Sequence, residues 1–259
     1  THLAMTEWDG NEDKVNAAID AIQIEGATAL EDGLRAGYTM AAEELPRSHG
    51  KTRVMLFTDE NPNVGNTSAA GFMAQAEAGS RSGVGLTTFG VGVHFDAELA
   101  THVSSVRGGN LFFVDNEGSA RKIFDREFFN MVNEVAHDID LAFVPPPGFR
   151  ITGVFGVPDD LMTNAPEGAI KVHISTAFLS SNGGGIYLTL AKDAAHADLP
   201  AAALAQGAPL LTGTLRYSDA RTGKQADDRI VVLRPADAPA PLGLRKAQLL
   251  VDEFVTMRG

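Results

Sequence analysis

Arg53-Val54-Met55-Leu56-Phe57-Thr58-Asp59 is a short run of apolar, β-branched and aromatic residues that ends on a carboxylate. Such a run predicts a strand buried on both faces, as in a parallel sheet, with Asp59 at its carboxyl end. Upstream, Val15, Ala18, Ile19 and Ile22 recur at helical spacing within 11–24. Gly26-Ala27-Thr28-Ala29 then opens a second helical run through Leu30, Leu34, Tyr38, Ala41 and Leu45, which Pro46 stops. Residues 2–8 have the composition of a further short strand, with Trp8 expected to pack at its end. Downstream, the pattern predicts a helix over 68–82, a strand over 85–93 and a short helix over 96–106 capped by Asp96. Gly108-Gly109 turns the chain into the strand Leu111-Phe112-Phe113-Val114. Ser119 is then expected to cap a long helix through Ile123, Phe124, Phe128, Met131, Val132 and Val135. Alternating strands and helices predict an α/β fold, a doubly wound, mostly parallel sheet with helices on both faces.

At Pro145-Pro146-Pro147-Gly148 the pattern changes, because proline neither continues a helix nor donates to a central ladder. Five short strand-like pieces follow, over 150–157, 170–175, 185–191, 212–218 and 229–233. Asn182-Gly183-Gly184 and Arg221-Thr222-Gly223 supply turns between them. A second proline-rich stretch, 235–241, leads into an amphipathic run through Leu244, Leu249, Leu250, Phe254 and Val255. The expected organisation is an α/β domain over 1–142, a smaller antiparallel β-sandwich-like domain over 143–235, and a linker with a C-terminal helix over 236–259.

The 259 residues are 44% hydrophobic and 21% charged, the balance of a chain that folds around a core. No apolar run approaches the roughly 18 residues that cross a bilayer. The opening residues show neither the basic start nor the apolar centre of a signal peptide, and no methionine stands first. With no cysteine, disulfides, thiolate metal sites and cysteine nucleophiles are excluded. The net charge of −12 lies entirely in 1–142, where 22 acidic side chains face 10 basic ones, while 143–259 balances at 11 of each. That excess repels nucleic acid and anionic membrane surfaces and favours cations or basic partners.

Three loops carry a resemblance. Glu25-Gly26-Ala27-Thr28-Ala29-Leu30 is followed by Gly33-Leu34; Thr58-Asp59-Glu60-Asn61-Pro62-Asn63 ends the first strand; Phe89-Gly90-Val91-Gly92-Val93 precedes Asp96, Leu99, Gly109 and Leu111-Phe112-Phe113. In this order and on these elements they resemble the von Willebrand factor A domain of bacterial proteins, over roughly residues 1–140. The resemblance implies a divalent cation (Mg²⁺, Mn²⁺ or Ca²⁺) at the top of a parallel sheet, completed by an acidic side chain of a partner protein. Thr28 is implied as a hydroxyl ligand and Asp59 as a carboxylate ligand, with Glu60, Asn61 and Asn63 facing the partner. Without the resemblance, Thr28 reads as a helix N-cap and Asp59 as a turn residue.

The family's first metal-binding loop, Asp-x-Ser-x-Ser, occurs nowhere in the chain. Its loss removes about three of the roughly six oxygens that such an ion takes, so the implied binding is weak or absent. Glu60 stands where the family has glycine, and either adds a carboxylate or faces solvent. The strand that carries the absent loop would lie beside the one ending at Asp59, and the resemblance implies that a segment upstream of Thr1 supplies it.

Catalytic signatures are missing. Gly90-Val91-Gly92-Val93-His94-Phe95 has Phe95 where a dinucleotide fingerprint has its third glycine. No phosphate loop and no Gly-x-Ser-x-Gly elbow occur. His94 and His102 are too far apart for a paired zinc site on one helix. The expected function is therefore not enzymatic. It is an adhesion-type protein-binding module with a partial metal-ion-dependent site. The alternatives are a metal-independent scaffold, or an accessory subunit of an ATP-driven or metal-inserting complex. The resemblance leans towards an extracytoplasmic or cell-surface place for it.

Overall fold

The computed structural model describes residues 3–23, 30–48, 50–59, 66–92, 102, 105–180, 185–193, 205–234 and 240–258. It contains two compact units, Thr1–Asn133 and Glu134–Gly259. The expected boundary at 142 falls inside a strand of the second unit, and the proline run makes a tight turn there, with Phe149 N–H donating to Pro146 O at 3.1 Å.

In the first unit, α1 (Glu12–Asp20) and α2 (Leu30–Glu44) precede β1 (Thr52–Thr58). Then come α3 (Asn66–Arg81), β2 (Val84–Val91) and β3 (Gly109–Val114). The three strands form a parallel sheet in the order β1-β2-β3, with Thr58 opposite Gly90 and Phe89 opposite Phe112. Side chains alternate across a strand, so each strand feeds two cores. Leu86, with Val54 and Leu56, packs against Leu34, Tyr38, Phe72 and Ala76 of α2 and α3. Phe89, with Met55 and Phe112, packs on the other face against Ile123, Phe124 and Met131. On α2 the buried positions Leu34 and Ala41, with Tyr38 between them, are spaced four and three residues apart, the stripe of an amphipathic helix.

The helix after β3 differs from its expected form. Asn116, not Ser119, is its N-cap, and Ser119 returns the favour from the N3 position in a capping box. The helix runs as α4 (Glu117–Lys122), widens into a π-turn over Ile123–Glu127 and closes as α5 (Phe128–Val132). Val135, expected in this helix, lies in a strand instead. Two further expectations fail. Residues 3–8 form no strand, and Trp8 is 57% exposed, so it packs at no strand end. The helix expected over 96–106 lies largely outside the described residues.

The second unit is antiparallel. Its strands are β4 (Glu134–Val144), β5 (Phe149–Phe155), β6 (Met162–Asn164), β7 (Ile170–Phe178), β8 (Tyr187–Lys192), β9 (Pro209–Asp219) and β10 (Gln225–Leu233). Five of them form a sheet in the order β10-β9-β4-β7-β6, and β5 pairs with β8 in a second. Phe143, Val172 and Leu211 of the larger sheet pack with Ile151, Leu188 and Leu190 of the smaller, the two-layer core expected of a sandwich. A final helix, α6 (Leu242–Arg258), brings Phe254 edge-on to Phe155, with ring centroids 6.3 Å apart.

Candidate functional site

Asp59 stands one residue beyond the last paired position of β1, Thr58 opposite Gly90, at the carboxyl end of the parallel sheet. Its backbone is positioned by a strand anchored at both ends. At the amino end, Arg53 Nη1 donates to Gly108 O at 2.8 Å and to Thr87 Oγ1 at 3.0 Å. Asn110, 3.4 Å from the same Nη1, donates in turn from Nδ2 to Met131 O at 2.8 Å. Gly85 leaves the room for this guanidinium, since a Cβ there would sit 2.8 Å from Arg53 Cζ. At the carboxyl end Thr58 is buried, while Phe57 is 57% exposed and stacks on Phe89 at 4.5 Å and 11°. Asp59 itself is exposed. In open α/β sheets ligands bind in the crevice outside the carboxyl ends of the strands, and Asp59 occupies that place.

Of the residues singled out in the sequence, Asp59 alone is described; Thr28, Glu60, Asn61 and Asn63 lie outside the described residues. Among the described residues no group of three or more His, Asp or Glu side chains is placed to hold a metal ion. Asp59 supplies one carboxylate where an ion of the Mg²⁺ class takes about six oxygens, so the described donor set does not by itself make a cation site. No described helix is long and apolar enough to cross a membrane.

A second polar constellation was not singled out in the sequence. On the outward face of the five-stranded sheet, His173, Asp140, Arg216 and Asp227 stand directly opposite one another on β7, β4, β9 and β10. His173 Nδ1 lies 2.8 Å from Asp140 Oδ1, and Arg216 Nε donates to Asp227 Oδ1 at 2.7 Å. The hydrogen bond to Asp227, then its charge and that of Asp140, raise the Arg216 pKa above its ordinary value. The signal in the sequence was the alternation of charged with apolar residues along each strand; which charges meet depends on register.

Residues 1–126 match the profile of the von Willebrand factor type A domain. The uncharacterized protein YfbK of Escherichia coli (strain K12) is 32% identical over 127 residues, which are 49% of this chain and 22% of that protein. Among solved structures, a von Willebrand factor type A protein from Catenulispora acidiphila aligns with a TM-score of 0.47 at 12% identity, over 85% of this chain and 50% of that one. The ArnB paralog VWA2 from Sulfolobus acidocaldarius aligns with a TM-score of 0.29 at 15% identity, over 84% and 49%. The chain thus spans about a fifth of the curated relative and about half of each solved chain. The family profile falls on the unit built around β1 and Asp59, and residues 1–126 of this chain are a von Willebrand factor type A domain.

Proposed function

We propose that the chain is a protein-binding module whose contact face is the carboxyl end of the parallel sheet, centred on Asp59. The observation that carries this reading is an exposed carboxylate held just past a strand whose own residues are locked into two cores. Pre-positioning of this kind lowers the ordering cost of binding. The domain type agrees, since von Willebrand factor A domains commonly mediate protein–protein interaction. Acid excess in the same unit, 19 acidic against 10 basic side chains over 1–133, draws cationic groups or metal ions towards it. The chain has no catalytic role in this proposal, in keeping with the missing nucleophile and phosphate motifs.

In the metal-linked form of the proposal, Thr28 and Asp59 weakly hold Mg²⁺, Mn²⁺ or Ca²⁺, and Glu60, Asn61 and Asn63 meet the partner. Calorimetric titration with each ion, repeated on Asp59→Ala, tests it. Saturable heat that the substitution abolishes supports the ion, and heat left unchanged by the substitution overturns it. The metal-independent form is a scaffold in which the strand-rich second unit makes the contact. A partner complex that survives EDTA and Asp59→Ala, yet is lost when 148–259 is deleted, selects the scaffold.

A further inference from the structure

The final helix, α6, is held to its unit along one stripe and leaves another open. Ala247, Val251 and Phe254 recur at helical spacing; the first two are half-buried, and the third meets Phe155. Leu242, Lys246, Leu249, Leu250, Glu253 and Met257 also recur at helical spacing, on an adjoining stripe about 100° wide. All six are exposed, with Leu249, Leu250 and Met257 at 66, 67 and 78%. A single exposed leucine is ordinary, whereas four large apolar side chains on one helical face mark a contact surface. Two opposite charges stand within this stripe. Lys246 and Glu253 are two turns apart, ~10 Å along the axis, and so cannot meet on their own helix. Neither enters an ion pair among the described residues.

We infer that this stripe docks on the same stripe of a second copy of the chain, helix against antiparallel helix, about a twofold axis between Leu249 and Leu250. The order of residues along the stripe selects that occupant. In the antiparallel pair Lys246 comes level with Glu253 of the other copy, and Leu242 with Met257 of the other copy, while Leu249 and Leu250 of both copies meet at the axis. Each charge gains an opposite one and each apolar side chain an apolar neighbour, the self-complementarity that a twofold interface requires. A parallel pair would set Lys246 against Lys246 and Glu253 against Glu253, so the two charges fix both orientation and register. A lipid surface would bury Glu253 with no cation opposite it, and a chain of net charge −12 is repelled by an anionic membrane. Two helices of 17 residues bury less than the ~1,600 Å² of a standard interface, so association is weak, in the ~10–100 µM range. The surface is independent of Asp59 and of any metal ion.

The test is sedimentation equilibrium of the whole chain from ~10 µM to ~1 mM, a range that brackets the expected dissociation constant. The expected result is a reversible monomer–dimer equilibrium. Lys246→Glu alone and Glu253→Lys alone each weaken the dimer at least tenfold, because each sets like charges against one another. Both substitutions in one chain restore it to within threefold, and the two single variants mixed in equal amounts form a heterodimer. Arg245→Glu, the same change of charge on the same helix but off the stripe, alters it less than twofold. Circular dichroism confirms that every variant keeps its helix content. A chain that stays monomeric throughout overturns the inference. So does a dimer that the single reversals leave intact, which assembles through another face. Weakening by Arg245→Glu equal to that by Lys246→Glu also overturns it, as does a double reversal that fails to restore the dimer.

Discussion

Tyr38 stands on α2 with its ring in the notch that Gly79 leaves on α3, where a Cβ would run into the ring. The hydroxyl is buried and has no hydrogen-bond partner among the described residues. Burial pushes its pKa up to about 12, against the pull of the Arg53 charge, which lowers it. The unfolded chain releases this proton near pH 10, and the folded one holds it until about pH 12. Between those values the folded state binds more protons than the unfolded state, so stability falls as pH rises, by ~1–2 kcal/mol after allowance for partial exposure. Urea unfolding at pH 9 and pH 11 checks this, with Tyr38→Phe expected to lack that share of the loss. At pH 7 the same substitution is expected to be neutral or stabilising by up to ~1 kcal/mol, because it removes a buried hydroxyl that bonds to nothing described. Asp59 illustrates the opposite case at this scale. Its place at a strand end was readable from the apolar run before it, whereas Tyr38 looked like any other helix position until α3 was packed against it.

The elements of the first unit follow closely from local pattern. The strand over β1 and the helices α2 and α3 appear within a few residues of their expected bounds, because each carries its own periodicity and its own stop signal. The misread element is β4. Phe128, Met131, Val132 and Val135 continue a helical period, and nothing local breaks it between Val132 and Glu134. What converts 134–144 to a strand is pairing on both edges, with β7 and with β9. That pairing is irregular where His137 gives way to Asp140, and there Asp138 adopts φ 49°, the left-handed region. Asp tolerates this conformation and a β-branched residue does not. Asp138→Val is therefore expected to destabilise by ~1–3 kcal/mol more than Asp138→Gly in denaturant titrations of the two variants. An equal effect would mean that the bulge relaxes when its residue changes.

Among the described residues, each buried hydrophobic cluster belongs to one of the two units. The clusters around Leu86 and around Phe89 belong wholly to the first unit, and the cluster around Phe143 belongs wholly to the second. Separate cores predict that unfolding is not a single two-state event. Scanning calorimetry is expected to resolve two transitions. Phe89→Ala should lower one and Phe143→Ala the other, each by ~3–5 kcal/mol in the affected unit. One shared transition moved by both substitutions would refute the division. Within the first unit, the sequence by itself determined the alternation of strand and helix, the two-faced burial of β1 and β2, and the placing of Asp59 at a carboxyl end. Those features depend on side chains a few residues apart and on the loops between them. Only the tertiary structure decided that 134–144 is a central strand and that His173, Asp140, Arg216 and Asp227 share a rung. Those outcomes rest on strand register between residues as distant as Asp140 and His173, or Ala142 and Thr214, and register is set by which faces bury together rather than by any one segment.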